Sequence, residues 1–181
     1  ISAGPKIYAD DALPVISDVE GQPFFAAARR LMDAFEFAGA PLSDDVRQQI
    51  ENAAAMPNDK DAVKQLQRIL DPLCLAVVNI NAESRVKVAE GPVKKELMQQ
   101  GWRAFLIKVH NEAGINPVLL AESPNALPVY EKGKGDREEP RKVEKLVNPE
   151  DVPDRFLDLN MVQREPMKAK LSGLLGEYRI L

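Results

Sequence analysis

The sequence has little of what metal sites and disulfide frameworks need. Its 181 residues include one cysteine, one histidine and one tryptophan. A single cysteine excludes a framework of intramolecular disulfides. A zinc site needs three or four His, Cys or carboxylate ligands, and the chain contains no HExxH or HxH pattern that would supply them. The sequence therefore predicts no metal site and no cofactor.

The sequence also lacks a basic excess and a long hydrophobic run. The formal net charge is −4, and no dense stripe of Lys and Arg is present. Phosphate backbones and anionic membrane surfaces attract basic proteins, so a nucleic acid partner is not expected. No apolar run approaches the roughly 20 residues that a membrane-spanning helix requires. The composition predicts a globular protein without membrane insertion.

Motifs of catalysis are missing as well. No GxSxG elbow and no glycine-rich phosphate loop is present, and only Cys74 and His110 could form a Cys/His nucleophilic pair. Cys74 lies in the apolar run LCLAVV, where desolvation would raise the pKa of its thiol. The acidic segment at 148–158 lacks the central Gly and terminal Glu of an EF-hand loop. The sequence therefore predicts no catalytic residues in this chain.

What the first part of the chain does contain is helical periodicity. Apolar residues recur at helical spacing between Pro23, which suits a first helical position, and Gly39, which suits the residue past the end. Ser43 is expected to start a second helix and Asn58 to cap a third. The pair Asp71-Pro72 is expected to end that third helix, because the residue before a proline disfavours helical geometry.

From Leu73 onward the pattern changes to β. Strands are expected at 73–81, 84–91, 102–110, 116–123, 155–162 and 176–181, with one helical turn at 93–101. A turn at Gly114 is expected to return the strand 116–123 along the strand 102–110. Alternation places Val86 and Val88 inward, and it places Lys108 on the less buried face of its strand.

The second and third helices are short and are expected to form an antiparallel hairpin. Their apolar faces need cover, which the first helix or one face of the sheet is expected to supply. The order of elements predicts an α+β fold, with about three helices in residues 1–72. A mostly antiparallel, β-sandwich-like (Ig-like) domain is expected in residues 73–181.

The candidate ligand-binding residues are aromatic or imidazole side chains of the β region. Trp102 on an exposed sheet face would stack on a sugar ring, with Tyr130 or Tyr178 as a second platform and His110 as a further candidate. The alternative is that Trp102 packs beneath the helices and that His110 is a structural residue near a turn, since large aromatic side chains are mostly buried. The second interpretation is the stronger of the two.

Three segments of the chain resemble one protein family. They are LDPLCLAVVNINAESRVKVAEGP (70–92), GWRAFLIKVHNEAG (101–114) and LSGLLGEYRIL (171–181). They are similar to a region near the N-terminus of large secreted bacterial metallohydrolases of the PHP type, related to carbaryl-hydrolase-like enzymes. The likeness covers about residues 62–181. The metal ligands of the family belong to a His-x-His domain that nothing here matches, so the resemblance implies no metal-binding residue in this chain.

The resemblance implies a non-catalytic accessory or interaction module of a secreted multidomain metal-dependent hydrolase. Its partners would be downstream domains of the same polypeptide, and its location would be secreted or periplasmic after removal of a signal peptide. The missing initiator Met and the strand-like last residues predict that the chain was cut from a longer one. The alternative is a free-standing β-sandwich that binds a polysaccharide or another small ligand.

Overall fold

The computed structural model of the chain describes residues 13–96, 98, 102–116, 119–122, 160–162 and 174–181. Its elements are α1 (Gly21–Phe37), α2 (Asp44–Ala54), α3 (Asp59–Leu70), β1 (Cys74–Ile80), β2 (Val86–Glu90), β3 (Leu106–Asn111), β4 (Leu120–Glu122), β5 (Asn160–Val162) and β6 (Gly176–Ile180). A short 3-10 turn, Asp71–Leu73, joins α3 to β1. The predicted α+β class, with three helices before the strands, is confirmed.

The helix boundaries follow from local capping. The Ser43 hydroxyl accepts a hydrogen bond from the N–H of Val46, and the Asn58 side chain accepts from the N–H groups of Lys60 and Asp61. Both residues are the N-caps that the sequence predicted, because a short oxygen-bearing side chain satisfies the free N–H groups of a first turn. The start of α1 was predicted slightly too late, because the helix begins at Gly21 and contains Pro23 as its third residue.

The main sheet is mixed. Its strand order is β2–β1–β3–β6, in which β1 pairs antiparallel with β2 and β3 pairs antiparallel with β6. The central pair, β1–β3, is parallel, with Val77 opposite Lys108 and Val78 opposite Val109. β4 and β5 form a separate antiparallel pair. Of the strand pairs that the structure describes, only β1–β3 is therefore parallel.

Two local expectations were wrong. Residues 93–96 are not helical, although a helical turn was predicted there. The strand after the turn at Gly114 was expected to return along β3, but β4 pairs with β5 and β3 pairs with β1 and β6. The turn itself is confirmed, since Gly114 has a φ of +62°. Periodicity identified these strands but did not determine their partners.

The helices and one face of the sheet share a single core. The helices contribute Phe24, Ala28, Leu31, Phe35, Ile50, Leu66 and Leu70, and the sheet contributes Cys74, Val77, Leu106 and Tyr178. The rings of Phe24 and Tyr178 lie 5.8 Å apart between α1 and β6. This contact between α1 and the sheet covers the apolar face that the helices alone would leave exposed, as the sequence analysis expected.

The opposite face of the central strands is buried as well. Val78 and Ile80 on β1, and Ile107 and Val109 on β3, are each at most 3% exposed. At the edge strand β2, Val86 is buried but Val88 is 38% exposed, whereas both were expected to point inward. The central strands are therefore enclosed on both faces.

The chain divides into two compact units. The first lies within Ile1–Lys94, Ala104–Leu119 and Gln163–Leu181, and contains the three helices and the four-stranded sheet. The second lies within Lys95–Arg103 and Leu120–Val162, and contains β4 and β5. The boundary between residues 72 and 73, proposed from the sequence, stays a prediction.

Candidate functional site

A buried polar cluster lies between the helices and the sheet. It consists of Asp71, Lys108 and Tyr178, and we call it the Asp71 cluster. Asp71 begins the 3-10 turn after α3, Lys108 is in the middle of β3, and Tyr178 lies opposite Lys108 on β6. Because residues opposite each other on neighbouring strands share a face, the register places both side chains toward Asp71.

Every polar group of the Asp71 cluster has a partner inside the protein. The Lys108 ammonium donates to Asp71 Oδ2 at 2.9 Å and to the carbonyl oxygen of Pro14 at 2.9 Å. The Tyr178 hydroxyl donates to Asp71 Oδ1 at 2.8 Å. Lys108 is only 1% exposed, and Asp71 and Tyr178 are also buried. The cluster is thus a desolvated ion pair completed by a phenol and a backbone carbonyl.

Burial controls the electrostatics of the Asp71 cluster. Desolvation raises the pKa of the Asp71 carboxyl, and hydrogen bonds from Lys108 and Tyr178 oppose that rise. The pKa of Tyr178 is raised well above its ordinary value, first by burial and then by the neighbouring Asp71 carboxylate. Both effects follow from the low polarity of the site, in which a charge is stable only beside an opposite charge or a donor.

The three side chains of the cluster include groups that many enzymes use for proton transfer. A general base must reach the proton of a substrate directly or through one water molecule. Here the carboxylate of Asp71 accepts hydrogen bonds from Lys108 and Tyr178. A second N–H of the Lys108 ammonium donates to the carbonyl oxygen of Pro14. The cluster joins three elements of the fold, because its side chains come from the 3-10 turn, from β3 and from β6.

Cys74 lies next to the Asp71 cluster and is fully buried. Its thiol contacts the carbonyl oxygen of Leu70, with a distance of 3.4 Å between Sγ and oxygen. Burial raises the pKa of the Cys74 thiol, and the Asp71 carboxylate raises it further. The thiolate is the nucleophilic form, so a raised pKa makes this residue unreactive. Cys74 is the core residue that its apolar neighbours predicted.

A pair between Cys74 and His110 is excluded by the register of the sheet. Leu106 lies opposite Cys74, and Asn79 lies opposite His110. His110 is four residues beyond Leu106 along β3, which corresponds to roughly 13 Å along a strand. The thiol and the imidazole therefore lie far outside hydrogen-bonding distance.

The predicted ligand-binding residues lie in different parts of the chain. Trp102 belongs to the second compact unit and is 48% exposed. His110 belongs to the first unit, where its Nε2 lies 3.8 Å from Glu112 Oε1 and its side chain is 29% exposed. Tyr130 lies outside the described residues. Their role in ligand binding stays a prediction. Tyr178 is not a surface platform, because its ring is buried and its hydroxyl belongs to the Asp71 cluster.

Sequence reasoning missed the Asp71 cluster because it treated Lys108 as an outward residue of a half-exposed face. That face, which also carries Leu106, packs against the helices instead. The signal in the sequence was a lysine flanked on both sides by apolar residues in a strand, FLIKVH. An aspartate and a tyrosine were available as partners, but each contact joins residues that are 37 or more positions apart.

Comparisons of the chain with protein-family models, curated proteins and solved structures found no match. Among the described residues, no group of three or more His, Cys, Asp and Glu side chains is arranged to hold a metal ion. None of the described helices combines the length and apolar character needed to cross a membrane.

Proposed function

We propose that this chain is a non-catalytic accessory module of a secreted, multidomain, metal-dependent hydrolase. The observation that carries the proposal is the state of the Asp71 cluster. The three side chains of this cluster are enclosed, and their donors and acceptors are satisfied by one another and by the carbonyl oxygen of Pro14. A cluster of this kind stabilises the arrangement of secondary structure, which is the role expected of a module rather than an active site.

The class of the parent enzyme comes from the resemblance of residues 70–92, 101–114 and 171–181 to the N-terminal region of PHP-type metallohydrolases. The partners of the module are then downstream domains of the same polypeptide, and its location is secreted or periplasmic. We also propose that the β region is sandwich-like and related to Ig-type domains. Burial of the sheet face turned away from the helices supports this, because the inner face of a sheet in a sandwich is covered by a second sheet.

A paired activity assay tests this function. The 181-residue chain and the full product of its gene are assayed with chromogenic ester and phosphoester substrates, with zinc or manganese and with a chelator. The proposal predicts chelator-sensitive hydrolysis by the full product and none by the chain alone. Hydrolysis by the chain alone that is lost on His110→Ala would show that the chain is itself an enzyme.

The second candidate function is ligand binding through Trp102, and the exposure of this side chain favours it. A half-exposed indole offers a flat apolar surface of the kind that stacks on a sugar ring. Trp102 is the only tryptophan, so its fluorescence reports on this site alone. Titration with soluble polysaccharides tests the idea, with Trp102→Phe and Trp102→Ala compared by calorimetry. A saturable fluorescence change, with heat retained by Phe and lost by Ala, would establish the binding function.

A further inference from the structure

Residues 13–19, which precede α1, pack within the first compact unit with every third side chain turned inward. Leu13 and Ile16 are buried and Val19 is partly buried, whereas Pro14 and Val15 are exposed. A spacing of three residues between inward side chains is the period of a polyproline II helix, in which one edge of three faces a neighbouring surface. We call this part of the chain the N-terminal segment.

Two buried side chains bind the backbone of the N-terminal segment. The Gln67 amide, on α3, accepts from the N–H of Ile16 at 2.8 Å and donates to the carbonyl oxygen of Ile16 at 3.0 Å. Lys108 donates to the carbonyl oxygen of Pro14 at 2.9 Å. Gln67 is completely buried with the segment in place, so the backbone of Ile16 supplies the partners that a buried amide requires. The surface formed by α3, β3 and β6 is therefore built to bind an extended peptide.

Gly176 shapes the same surface. A Cβ atom placed on Gly176 would lie 3.0 Å from Val19 Cγ2 and 3.2 Å from Ile16 Cδ1. Both distances are closer than ordinary carbon contacts, so the absence of a side chain lets the segment approach β6. Together with Gln67 and Lys108, Gly176 selects a peptide with bulky apolar residues three positions apart. We call this surface the segment groove.

The connection between the N-terminal segment and α1 is short and strained. Asp18 has a φ of +61°, in the left-handed region, and α1 begins three residues later. Aspartate tolerates this conformation better than most residues but still prefers negative φ. A cavity of about 230 Å³ lies beside this hinge, lined in part by Asp18, Glu20, Phe24 and Gly176. We call Asp18 the hinge. Its left-handed conformation favours opening, and the adjacent cavity leaves space for the backbone to move.

We propose that the segment groove is a peptide-binding site and that its second occupant is the N-terminal segment of another copy of this chain. Two chains exchange their segments, and each groove keeps its bonds from Gln67 and Lys108 while Asp18 leaves its left-handed conformation. A strained hinge next to a docked segment is the arrangement that favours exchange of identical elements between protomers. This inference does not depend on the proposed function of the module.

Two substitutions at Asp18 test the exchange in the full chain. Asp18→Gly relaxes the hinge in the closed monomer, and Asp18→Pro forbids its positive φ. Each protein is refolded at high concentration and its mass is measured by size exclusion with light scattering. Removing left-handed strain with Gly shifts the monomer–dimer equilibrium toward monomer by about fivefold per hinge, and Pro shifts it toward dimer. If both variants fold and the fraction of monomer is the same as in the wild type, the proposal is overturned.

A covalent trap identifies the occupant even if Asp18→Pro does not fold. Chains carrying only Ile16→Cys are refolded together with chains carrying only Gly176→Cys, and interchain disulfides are detected on a non-reducing gel. Ile16 is chosen because it precedes the Asp18 hinge and its Cδ1 lies 3.2 Å from the position of a Cβ atom on Gly176. The single chain carrying both substitutions reports docking of a segment on its own groove. Ile16→Cys mixed with Gln49→Cys, at an exposed position of α2, measures random oxidation, and native Cys74 is buried.

The proposal predicts an interchain disulfide in the Ile16→Cys and Gly176→Cys mixture that is absent from the Gln49→Cys mixture. Intrachain disulfide in the doubly substituted chain, with no interchain product in the first mixture, would show that the groove accepts only its own segment and would overturn the proposal. Equal interchain products in both mixtures would also overturn it, because they would reflect collision rather than docking.

Discussion

At the scale of single residues, the Asp71 cluster connects elements that are far apart in the sequence. The ion pair of Asp71 and Lys108 connects the end of α3 with the middle of β3, and Tyr178 adds β6. Burying both charges has a desolvation penalty, so the pair is not an automatic gain in stability. The stability of the fold is nevertheless sensitive to substitution of either residue, because removing one partner leaves the other charge buried and unpaired.

Asp71→Asn is predicted to lower the free energy of unfolding by about 3–5 kcal/mol, because the Lys108 ammonium remains buried without its counter-charge. Urea unfolding measures the change. Glu51→Gln is the matched control, since it breaks an ion pair with Arg29 in which both side chains are about half exposed. The control is predicted to change stability little. Equal effects of the two substitutions would contradict the structural role of the cluster.

Lys108→Met is predicted to make stability depend on pH. Without the ammonium, burial raises the pKa of Asp71 further in the folded state, while the unfolded state keeps an ordinary pKa. A folded-state pKa above the unfolded one contributes stability at low pH that is lost as the pH rises through the folded pKa.

The deficit of Lys108→Met relative to wild type should therefore widen as the pH rises from about 4, the ordinary pKa of an aspartate in the unfolded state, through the raised pKa of the folded state. Urea unfolding at several pH values measures both proteins under the same conditions. A deficit that stays constant over that range would show that Asp71 does not become a buried, unpaired carboxylate in the variant.

At the scale of elements, the helices depend on local signals of unequal strength. Asn58 Oδ1 accepts from two N–H groups at 3.0 and 3.3 Å, whereas Ser43 Oγ accepts from one at 3.4 Å. Asn58→Ala is predicted to lower the free energy of unfolding by about 1 kcal/mol, and Ser43→Ala by less. Thermal unfolding followed by circular dichroism ranks them, and the reverse order would contradict the capping geometry.

The backbone at residue 91 lies very close to the first residues of β1. A Cβ atom on Gly91 would lie 2.2 Å from the carbonyl oxygen of Cys74, and the N–H of Gly91 donates to the carbonyl oxygen of Leu75. Gly91→Ala must displace backbone and is predicted to cost about 2–3 kcal/mol. In Gly114→Ala the new Cβ atom meets no neighbour, and only the strain of a positive φ in alanine is expected, which lowers the free energy of unfolding by about 1 kcal/mol. Chemical denaturation compares the stabilities of the two variants. A larger loss of stability in Gly114→Ala would contradict the close approach of residue 91 to β1.

Elements were predictable from the sequence where their signals are local. The caps Ser43 and Asn58, the turn at Gly114 and the β pattern from Leu73 all depend on residues a few positions apart, and each is present in the structure. The parallel pairing of β1 with β3 was not predictable, because alternation identifies a strand without naming its neighbour. The Asp71 cluster was missed for the same reason, since its members meet only after the sheet has formed.

At the scale of the whole molecule, one core joins the helices to the sheet in the first compact unit, and the second unit carries Trp102. The buried Asp71 cluster, the segment groove and the enclosed central strands are properties of a stable scaffold. A scaffold of this kind is compatible with the proposed accessory role. The two proposals are separable, because segment exchange is measured on this chain and the accessory role on the full product of its gene.

The most direct measurement is the nucleotide sequence of the source gene beyond the codon for Leu181. The account predicts that the reading frame continues into further β structure and a domain that contains a His-x-His motif. A stop codon directly after Leu181 would contradict the metallohydrolase proposal, and ligand binding at Trp102 would then be the leading function.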